Sequence, residues 1–181
     1  TAALAPFKGQ PKKAWTAEEG RRRQAMDAWG SQVERFEEED RDNLRCLLSA
    51  GQQFLIRTPS DRPSMIAGYP WFQDWGRDTL ISLPGLTFCC GRAQEGMDIL
   101  NAMAAVDKDG LLPNTFAEGG NEHAYNTVDS SLWYFWAVQQ LLKYTGDLDA
   151  VRDKMWPAMK SILRHFMAGT IFNIGMNDQG L

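Results

Sequence analysis

Apolar residues recur at helical spacing along most of the chain, and no alternation of strands with helices is visible. Thr16 followed by Glu19 is a capping-box pattern, which predicts a helix from there to about Gly30. A second helix is predicted over 32–57, where the sequence is highly charged at first and amphipathic later. The charged run 37–42 within it is typical of a solvated helix face.

Beyond two prolines near position 60, the same spacing predicts four further helices. They cover 80–90, 92–105, 132–145 and a stretch from Asp147 or Asp149 to about 168. Pro84 and Gly85 should kink or interrupt the first of these, and the third is apolar nearly all round, which predicts burial on most sides. Residues 65–67 predict a short extended segment, and 171–181 a turn or hairpin.

Two long loops, 58–78 and 107–128, stand between these helices, whereas the other connections are short. Alternating long and short connections are what helical hairpins produce when both long loops lie at the same end. The sequence therefore predicts an all-α fold. A loop near twenty residues is uncommon inside a compact domain and is usually functional or disordered; Phe116, Tyr125 and Asn126 favour order in the second loop.

Composition agrees with a soluble globular domain: 181 residues, 44% hydrophobic and 23% charged. A net charge of −4 gives no electrostatic attraction for nucleic acid or an anionic membrane. No apolar run approaches the roughly 18 residues that a membrane span needs, and no signal peptide is visible. We therefore expect neither a nucleic-acid nor a membrane partner.

Three cysteines, Cys46, Cys89 and Cys90, have no metal-binding or redox spacing. They are typical of small apolar residues in a reducing compartment, so a cytoplasmic location is expected. The sequence has only two histidines and no cluster of histidine with cysteine. A transition-metal site is therefore not predicted, and no cofactor is expected.

The chemistry concentrates in residues 68–79, which hold four aromatic residues, two carboxylates and an arginine. Aromatic rings stack on the apolar faces of sugars, while carboxylates and a guanidinium bind hydroxyls with fixed geometry. This composition favours a polyhydroxylated ligand. The alternative is a buried aromatic loop in which Arg77 and Asp78 pair for structural reasons.

Asp78 and Asp129 both lie at or near predicted helix starts, in aromatic surroundings on separate loops. Carboxylates that converge on an aromatic cleft are what glycosidic bond cleavage requires, because one of them must hold a proton for the leaving oxygen. The alternative is that both residues are plain helix caps, since a negative charge is favoured at a helix N-terminus.

Three segments, in order, carry a resemblance to a known family: 69–86 (Tyr-Pro-Trp-Phe-Gln-Asp-Trp-Gly-Arg-Asp-Thr-Leu-Ile-Ser-Leu-Pro-Gly-Leu), 110–114 and 125–133. Together they resemble the glycogen debranching enzymes in their amylo-α-1,6-glucosidase domain. The resemblance implies an (α/α)6 toroid whose inner helices bring loops to one face. It also implies inverting hydrolysis of the α-1,6-linked glucose at branch points of glycogen or limit dextrin.

The resemblance also assigns roles to residues. Asp129 is implied as the general acid, and Arg77 with Asp78 as the pair that binds hydroxyls of the terminal glucose. Trp71, Phe72 and Trp75 would form the wall of the glucose subsite. The remaining implied contacts are ring surface beside the acid and hydroxyl-binding amides, from Tyr125, Trp133, Asn114 and Asn126.

The sequence departs from the family in extent. It supplies about half of the helices of a toroid, so we expect 1–30 to be a linker with a first helix and 31–181 to be the N-terminal half of the catalytic domain. The family's general base is a Glu further towards the C-terminus, and Glu118, Glu122 and Asp178 match no base motif. The chain is expected to be a fragment that is inactive alone.

Two alternatives stay open at this stage. One is another toroid α-glucosidase, trehalase-like or glucoamylase-like, which would share the Arg-Asp pair but differ in its other subsites. The second is a non-catalytic helical module that binds glucan, or a protein, through the same aromatic surface.

Overall fold

The computed structural model describes residues 9–117 and 122–180. Its elements confirm the all-α prediction, since helices dominate and the two strands are short. In chain order they are α1 Pro11–Val33, α2 Glu38–Gln52, β1 Leu55–Arg57, β2 Pro63–Met65, α3 Gly76–Leu86, the 3₁₀ turn Phe88–Cys90, α4 Ala93–Ala104, α5 Asp129–Thr145, α6 Leu148–Ala150, the π-helical turn Val151–Met155 and α7 Trp156–Ala168. The chain divides into two compact units, Thr1–Gln52 and Gln53–Leu181.

The first unit holds α1 and α2. Helix α1 begins at Pro11, where a proline costs no hydrogen bond because the first amides of a helix have no partner within it. Glu34 forms an ion pair with Arg41 across the turn between the helices, at 2.9 Å. The predicted single helix over 32–57 is wrong, since this turn breaks it and 55–57 is a strand. The charged run 37–42 is solvated, as predicted.

The second unit begins with an antiparallel hairpin that the sequence analysis missed. Leu55 pairs with Met65 and Arg57 with Pro63, and the amide of Thr58 donates to Arg62 O at 3.0 Å to close the turn. The local pattern continued the amphipathic helix, whereas the observed strand is stabilised by pairing with β2 and by packing of Leu55 on the core. The predicted extended segment near 65 is confirmed, two residues earlier than expected.

The core of the second unit lies between α3, α4 and α5, with α7 packed against it. The fully buried side chains come from all of these elements and include Leu80, Leu83, Leu100, Met103, Tyr134, Leu141 and Ile162. The methionines of α4 are core residues, as predicted. The expectation that α5 is buried on most sides holds for one face only, because Leu132 and Tyr144 are about half exposed.

Several helix boundaries differ from expectation. Helix α1 begins at Pro11 and ends at Val33, so the predicted capping-box start at Thr16 is wrong; the Thr16 hydroxyl instead donates to Lys12 O at 3.0 Å inside the helix. Helix α3 begins at Gly76, four residues before the predicted start, and runs unbroken to Leu86 with Pro84 inside it. Pro84 is buried, so packing offsets the hydrogen bond that its missing amide cannot make. The last helical stretch, predicted as one helix, changes to π-helical hydrogen bonding over Val151–Met155.

Other expectations agree with the structure. The side chain of Asp147 caps the last helical stretch by accepting the Ala150 amide at 2.8 Å. The C-terminal segment forms turns, in which the amide of Thr170 donates to Ile174 O at 2.9 Å; Leu181 lies outside the described residues. The helical hairpins are consistent with part of an (α/α)6 toroid, while the predicted boundary at 30/31 stays a prediction.

Across residues 9–117 and 122–180, none of the helices combines the length and apolar character needed to cross a membrane.

Gly76 is required by a backbone contact, which gives the first testable prediction. A Cβ at this position would lie 2.2 Å from the carbonyl oxygen of Pro113. We expect Gly76→Ala to destabilise the protein by about 1–3 kcal/mol, the usual cost of overpacking. Chemical denaturation monitored by circular dichroism measures this change.

Gly85 is the matched control in the same helix, because a Cβ there meets nothing within 4 Å. We expect Gly85→Ala to stabilise the protein by roughly 0.5–1 kcal/mol through the better helix propensity of alanine. Equal effects of the two substitutions would show that the Pro113 contact does not constrain position 76.

Candidate functional site

The two long loops meet beside the start of α3. Trp75 forms an antiparallel bridge with Thr115, and Thr115 forms another with Ala124, so three extended pieces of chain lie side by side. The amide of Gly76 donates to Asn114 O at 2.7 Å. These contacts confirm that the loops share one end of the unit, and that the described parts of the second loop, 107–117 and 122–128, are held by specific hydrogen bonds. Gly119 and Gly120 lie outside the described residues.

Asn114 links the second loop to the N-terminus of α3. Its carbonyl accepts the Gly76 amide, and its side-chain Oδ1 accepts the amide of Arg77 at 3.3 Å. The side chain is buried, with 4% of the residue exposed. Asn114 was predicted to bind a sugar hydroxyl; the structure shows it as the cap of the helix that presents Arg77. The amides in the first turn of a helix have no partner within the helix, so this cap satisfies one of them.

A second hydrogen bond fixes the same loop to α5. The amide of Leu112 donates to the Oγ of Ser131 at 2.9 Å, and both residues are fully buried. One turn earlier, the hydroxyls of Thr127 and Ser130 lie 2.7 Å apart. These contacts therefore hold the first turn of α5, which begins at Asp129, against the second loop.

Arg77 and Asp129 meet across the two helix starts. The Nε and Nη2 of Arg77 donate to Oδ1 of Asp129 at 3.0 and 2.9 Å. The two side chains are 45% and 41% exposed. Both donors use Oδ1, and within the described residues Oδ2 receives no hydrogen bond. The guanidinium therefore occupies Oδ1, while Oδ2 remains open to a ligand.

This contact bears on the two structural alternatives. Arg77 pairs with Asp129 rather than with its neighbour Asp78. Asp129 is the first residue of α5, the cap position is Val128, and no side-chain capping bond forms there. The Asp129 carboxylate thus binds Arg77 in the first turn of α3 instead of capping its own helix.

Asp78 is the third residue of α3 and is exposed. Its carbonyl oxygen accepts a hydrogen bond from Ser82 Oγ at 2.6 Å. In the part of the chain that the structure describes, its carboxylate has neither an ion-pair nor a hydrogen-bond partner. It is a free anionic acceptor beside Arg77.

The predicted aromatic residues differ in exposure. Trp71 is 84% exposed and Phe72 is 54% exposed, whereas Trp75 is half-buried and packs edge-on against Phe72 with ring centroids 6.4 Å apart. Trp133 is half-buried and packs against Trp136 at 5.4 Å. Trp71 therefore presents an open ring rather than a closed wall.

Tyr125 is anchored by its hydroxyl, which donates to Val106 O at 2.8 Å. Burial raises the pKa of this phenol, and the charge of Asp107 raises it further. The phenol therefore stays neutral over an extended alkaline range and keeps its hydrogen bond. The next residue, Asn126, is exposed.

A buried ion pair next to the site was not predicted from the sequence. Arg62 Nη2 donates to Asp74 Oδ2 at 2.6 Å, and Ser64 Oγ donates to the same oxygen at 2.7 Å. Asp74 is 6% exposed. Asp74 lies inside the aromatic stretch 68–79, which drew attention to its carboxylate. Nothing in the sequence around Arg62 indicated that Arg62 is its partner.

The other carboxylates that could act as a general base, and the side chains that could bind a metal, do not extend the candidate site. Glu122 and Asp178 are exposed, and Glu118 lies outside the described residues. No group of three or more His, Cys, Asp or Glu side chains that could hold a metal ion is found in residues 9–117 and 122–180.

Comparison with known proteins identifies a family. The family model described as amylo-alpha-1,6-glucosidase matches residues 49–181. The chain is also similar to a glycogen debranching enzyme of Saccharomyces cerevisiae, 38% identical over 90 residues, which is 47% of this chain and 6% of the relative. The match thus spans a small part of that relative's length.

The cap on α3 gives a second prediction. Asn114→Ala leaves the Arg77 amide without its acceptor, and we expect a loss of about 0.5–2 kcal/mol in the free energy of unfolding. Asn114→Asp keeps an acceptor and places a negative charge at a helix N-terminus, so it should retain most of the stability. Urea denaturation of both variants tests this, and equal stability of the two would contradict the capping role.

Proposed function

Because the chain belongs to the amylo-alpha-1,6-glucosidase family, we propose that it provides the acid side of a site that hydrolyses α-1,6-linked glucose at branch points of glycogen or limit dextrin. The observation that supports this most is the contact of Arg77 with Asp129. It brings the chemistry of two separated motifs together at an accessible surface, beside half-buried and exposed aromatic rings.

Asp129 is the proposed general acid. Its Oδ1 is occupied by Arg77, while Oδ2 has no partner among the described residues and is the atom from which a proton would pass to the glycosidic oxygen. Proton donation to the leaving group is the step that an inverting glycosidase assigns to its acid. After that step the carboxylate is ionised, and the guanidinium stabilises it.

Arg77 has a second role in the proposal. In the resting contact its guanidinium is bound to Oδ1 of Asp129. Hydroxyls of the terminal glucose would draw Arg77 away, helped by the free carboxylate of Asp78. Because exposed pairs of this kind contribute about 0–1 kcal/mol, exchange of partners costs little.

The aromatic residues complete the proposed subsite. Trp75, Tyr125 and Trp133 would supply ring surface near the bond that is broken, and Asn126 a hydroxyl contact. Trp71 and Phe72 expose their rings, which suits stacking on sugar faces of the branched α-glucan.

The general base is proposed to come from sequence beyond residues 49–181, about 6.5–9.5 Å from the acid as inversion requires. Residues 31–181 are accordingly proposed as part of a catalytic domain, and the chain alone is proposed to lack turnover. Free thiols at Cys46, Cys89 and Cys90 support a reducing, cytoplasmic location.

A comparison of substrates distinguishes the proposed function from the two alternative functions. The longer protein that contains this domain, given branched limit dextrin, trehalose and maltose in parallel, should release glucose from limit dextrin. Release from trehalose or maltose alone would favour another toroid α-glucosidase. Binding of limit dextrin without release would favour a glucan-binding module.

Asp129→Asn tests the acid. In the longer protein we expect turnover of limit dextrin to fall by about 10²–10⁴-fold, because the amide cannot donate the catalytic proton. The Michaelis constant should change less. Asp27→Asn, an exposed residue of α1 outside the family match, serves as the control and should keep full activity. Unchanged turnover in the Asp129 variant would contradict the assignment and favour the binding module.

Asp78→Asn tests the binding role of the free carboxylate. We expect weaker binding of the terminal glucose, seen as a raised Michaelis constant, together with lower turnover, because misplacement of the ring misaligns the scissile bond. Steady-state kinetics on limit dextrin measures both quantities. If neither changes, Asp78 is not a glucose contact.

A further inference from the structure

The buried ion pair of Arg62 and Asp74 joins the elements that carry the proposed site. Arg62 precedes β2, and Asp74 is the penultimate residue of the aromatic segment, which we define as residues 68–75. Their side chains are 18% and 7% exposed. Ser64 Oγ donates to Asp74 Oδ2, and Arg62 Nη1 donates to Ser64 Oγ at 3.3 Å. These hydrogen bonds therefore hold the last residues of the aromatic segment on the hairpin.

Arg62 also reaches the second long loop. Its guanidinium lies over the ring of Phe116, with Cζ 4.4 Å from the ring centroid, and Phe116 is 4% exposed. Phe116 packs edge-on against His123 at 6.0 Å, and His123 packs against Tyr125 at 6.4 Å. One cation thus contacts the aromatic segment through Asp74 and the loop that carries Tyr125 through Phe116.

The position of Asp74 extends this connection to the helix start. Asp74 is followed by Trp75, which forms the bridge with Thr115, and then by Gly76, whose amide binds Asn114 O. Nearer the start of the segment, the amide of Ala67 donates to Gln73 O at 2.9 Å. Displacement of Asp74 would therefore move the residues that align α3 with the second loop.

We propose that Arg62 and Asp74 are positioning residues, whose ion pair holds the aromatic segment and the second loop in the alignment that brings Arg77 to Asp129. Neither residue is assigned a contact with substrate. The effect on glucan binding rests on the function proposed above, whereas the effect on loop alignment does not.

The test separates alignment from stability. Loss of one buried charge leaves the other uncompensated, whereas replacement of both by neutral residues of similar size is often tolerated. The double variant Arg62→Met with Asp74→Asn should therefore keep most of the denaturation midpoint. It lacks the directional charge-assisted bonds, so the two loops should separate more often.

Amide hydrogen exchange of the full chain measures that separation without any ligand. Gly76, bonded to Asn114, and Ala124, bonded to Thr115 at 3.0 Å, report the alignment. In the double variant we expect their exchange to accelerate by about tenfold or more relative to core amides of α4, such as Met103. Arg62→Lys, which keeps a charged donor, should restore part of the protection when Asp74 is native.

The same hairpin supplies a matched control. Arg57 and Asp61 form an ion pair at 3.4 Å with side chains 60% and 82% exposed. Arg57→Met with Asp61→Asn should leave the exchange of Gly76 and Ala124 unchanged. Unchanged protection in the Arg62/Asp74 double variant would overturn the proposal. If that variant does not fold, Ser64→Ala replaces it, and there too unaltered exchange would overturn it.

Binding of a branched limit-dextrin oligosaccharide, measured by calorimetry, tests the functional part. Affinity about tenfold weaker in a stable double variant supports the proposal. Equal affinity in the double variant and the native chain overturns the link between alignment and binding. If the longer protein that contains this domain does not bind limit dextrin but the exchange result is as expected, the positioning role stands and the proposed glucan function fails.

Discussion

The geometry of the candidate site depends on one close approach of two backbones. Gly76 lies so near Pro113 and Asn114 that a single added carbon would overlap a carbonyl oxygen. This approach allows the Gly76 amide to reach Asn114 O, and it places Arg77 one residue further into α3. A side chain at position 76 would force these two backbones apart and weaken the hydrogen bond between the Gly76 amide and Asn114 O.

The contacts around Gly76 are of two kinds: buried contacts that hold the loops together, and exposed contacts whose side chains can change partners. The Leu112–Ser131 and Arg62–Asp74 contacts are buried, and an unsatisfied buried polar group is costly, so they hold the loops. The Arg77–Asp129 pair is half exposed and contributes little to stability. Of these contacts, the Arg77–Asp129 pair is therefore the one that can exchange partners at the lowest cost in free energy.

Local periodicity was enough to predict the helices that carry their own signal. Helix α4 shows apolar residues at helical spacing and is observed almost as predicted. It was not enough where a distant segment decides the outcome. Leu55 and Ile56 suit a helix face as well as a strand, and only their pairing with Met65 and Ser64 makes them β1. Helix α3 begins early because Asn114, far along the chain, caps it.

The residues of the candidate site divide in the same way, into those marked by the local sequence and those whose role depends on a distant partner. The motifs marked Arg77 and Asp129, and the structure brings these two together. The sequence did not indicate that Asn114 acts as a cap, because its partner is the backbone amide of Arg77, in a helix 37 residues earlier in the chain. Arg62 was missed for a related reason: a buried ion pair depends on tertiary distance, and the hairpin that brings Arg62 to Asp74 was itself not predicted.

In the segments 69–86 and 125–133, the exposed charged side chains belong to residues that adjoin buried residues in the sequence. Arg77 and Asp78 lie between Gly76 and Thr79, both buried, and Asp129 precedes the buried pair Ser130 and Ser131. A side chain whose neighbours are packed has a fixed Cα, so its own rotamers are the main freedom left to it. This arrangement fixes the backbone from which a polar side chain extends while leaving the end of the side chain free to exchange partners, as the proposed binding of a polyhydroxylated ligand requires.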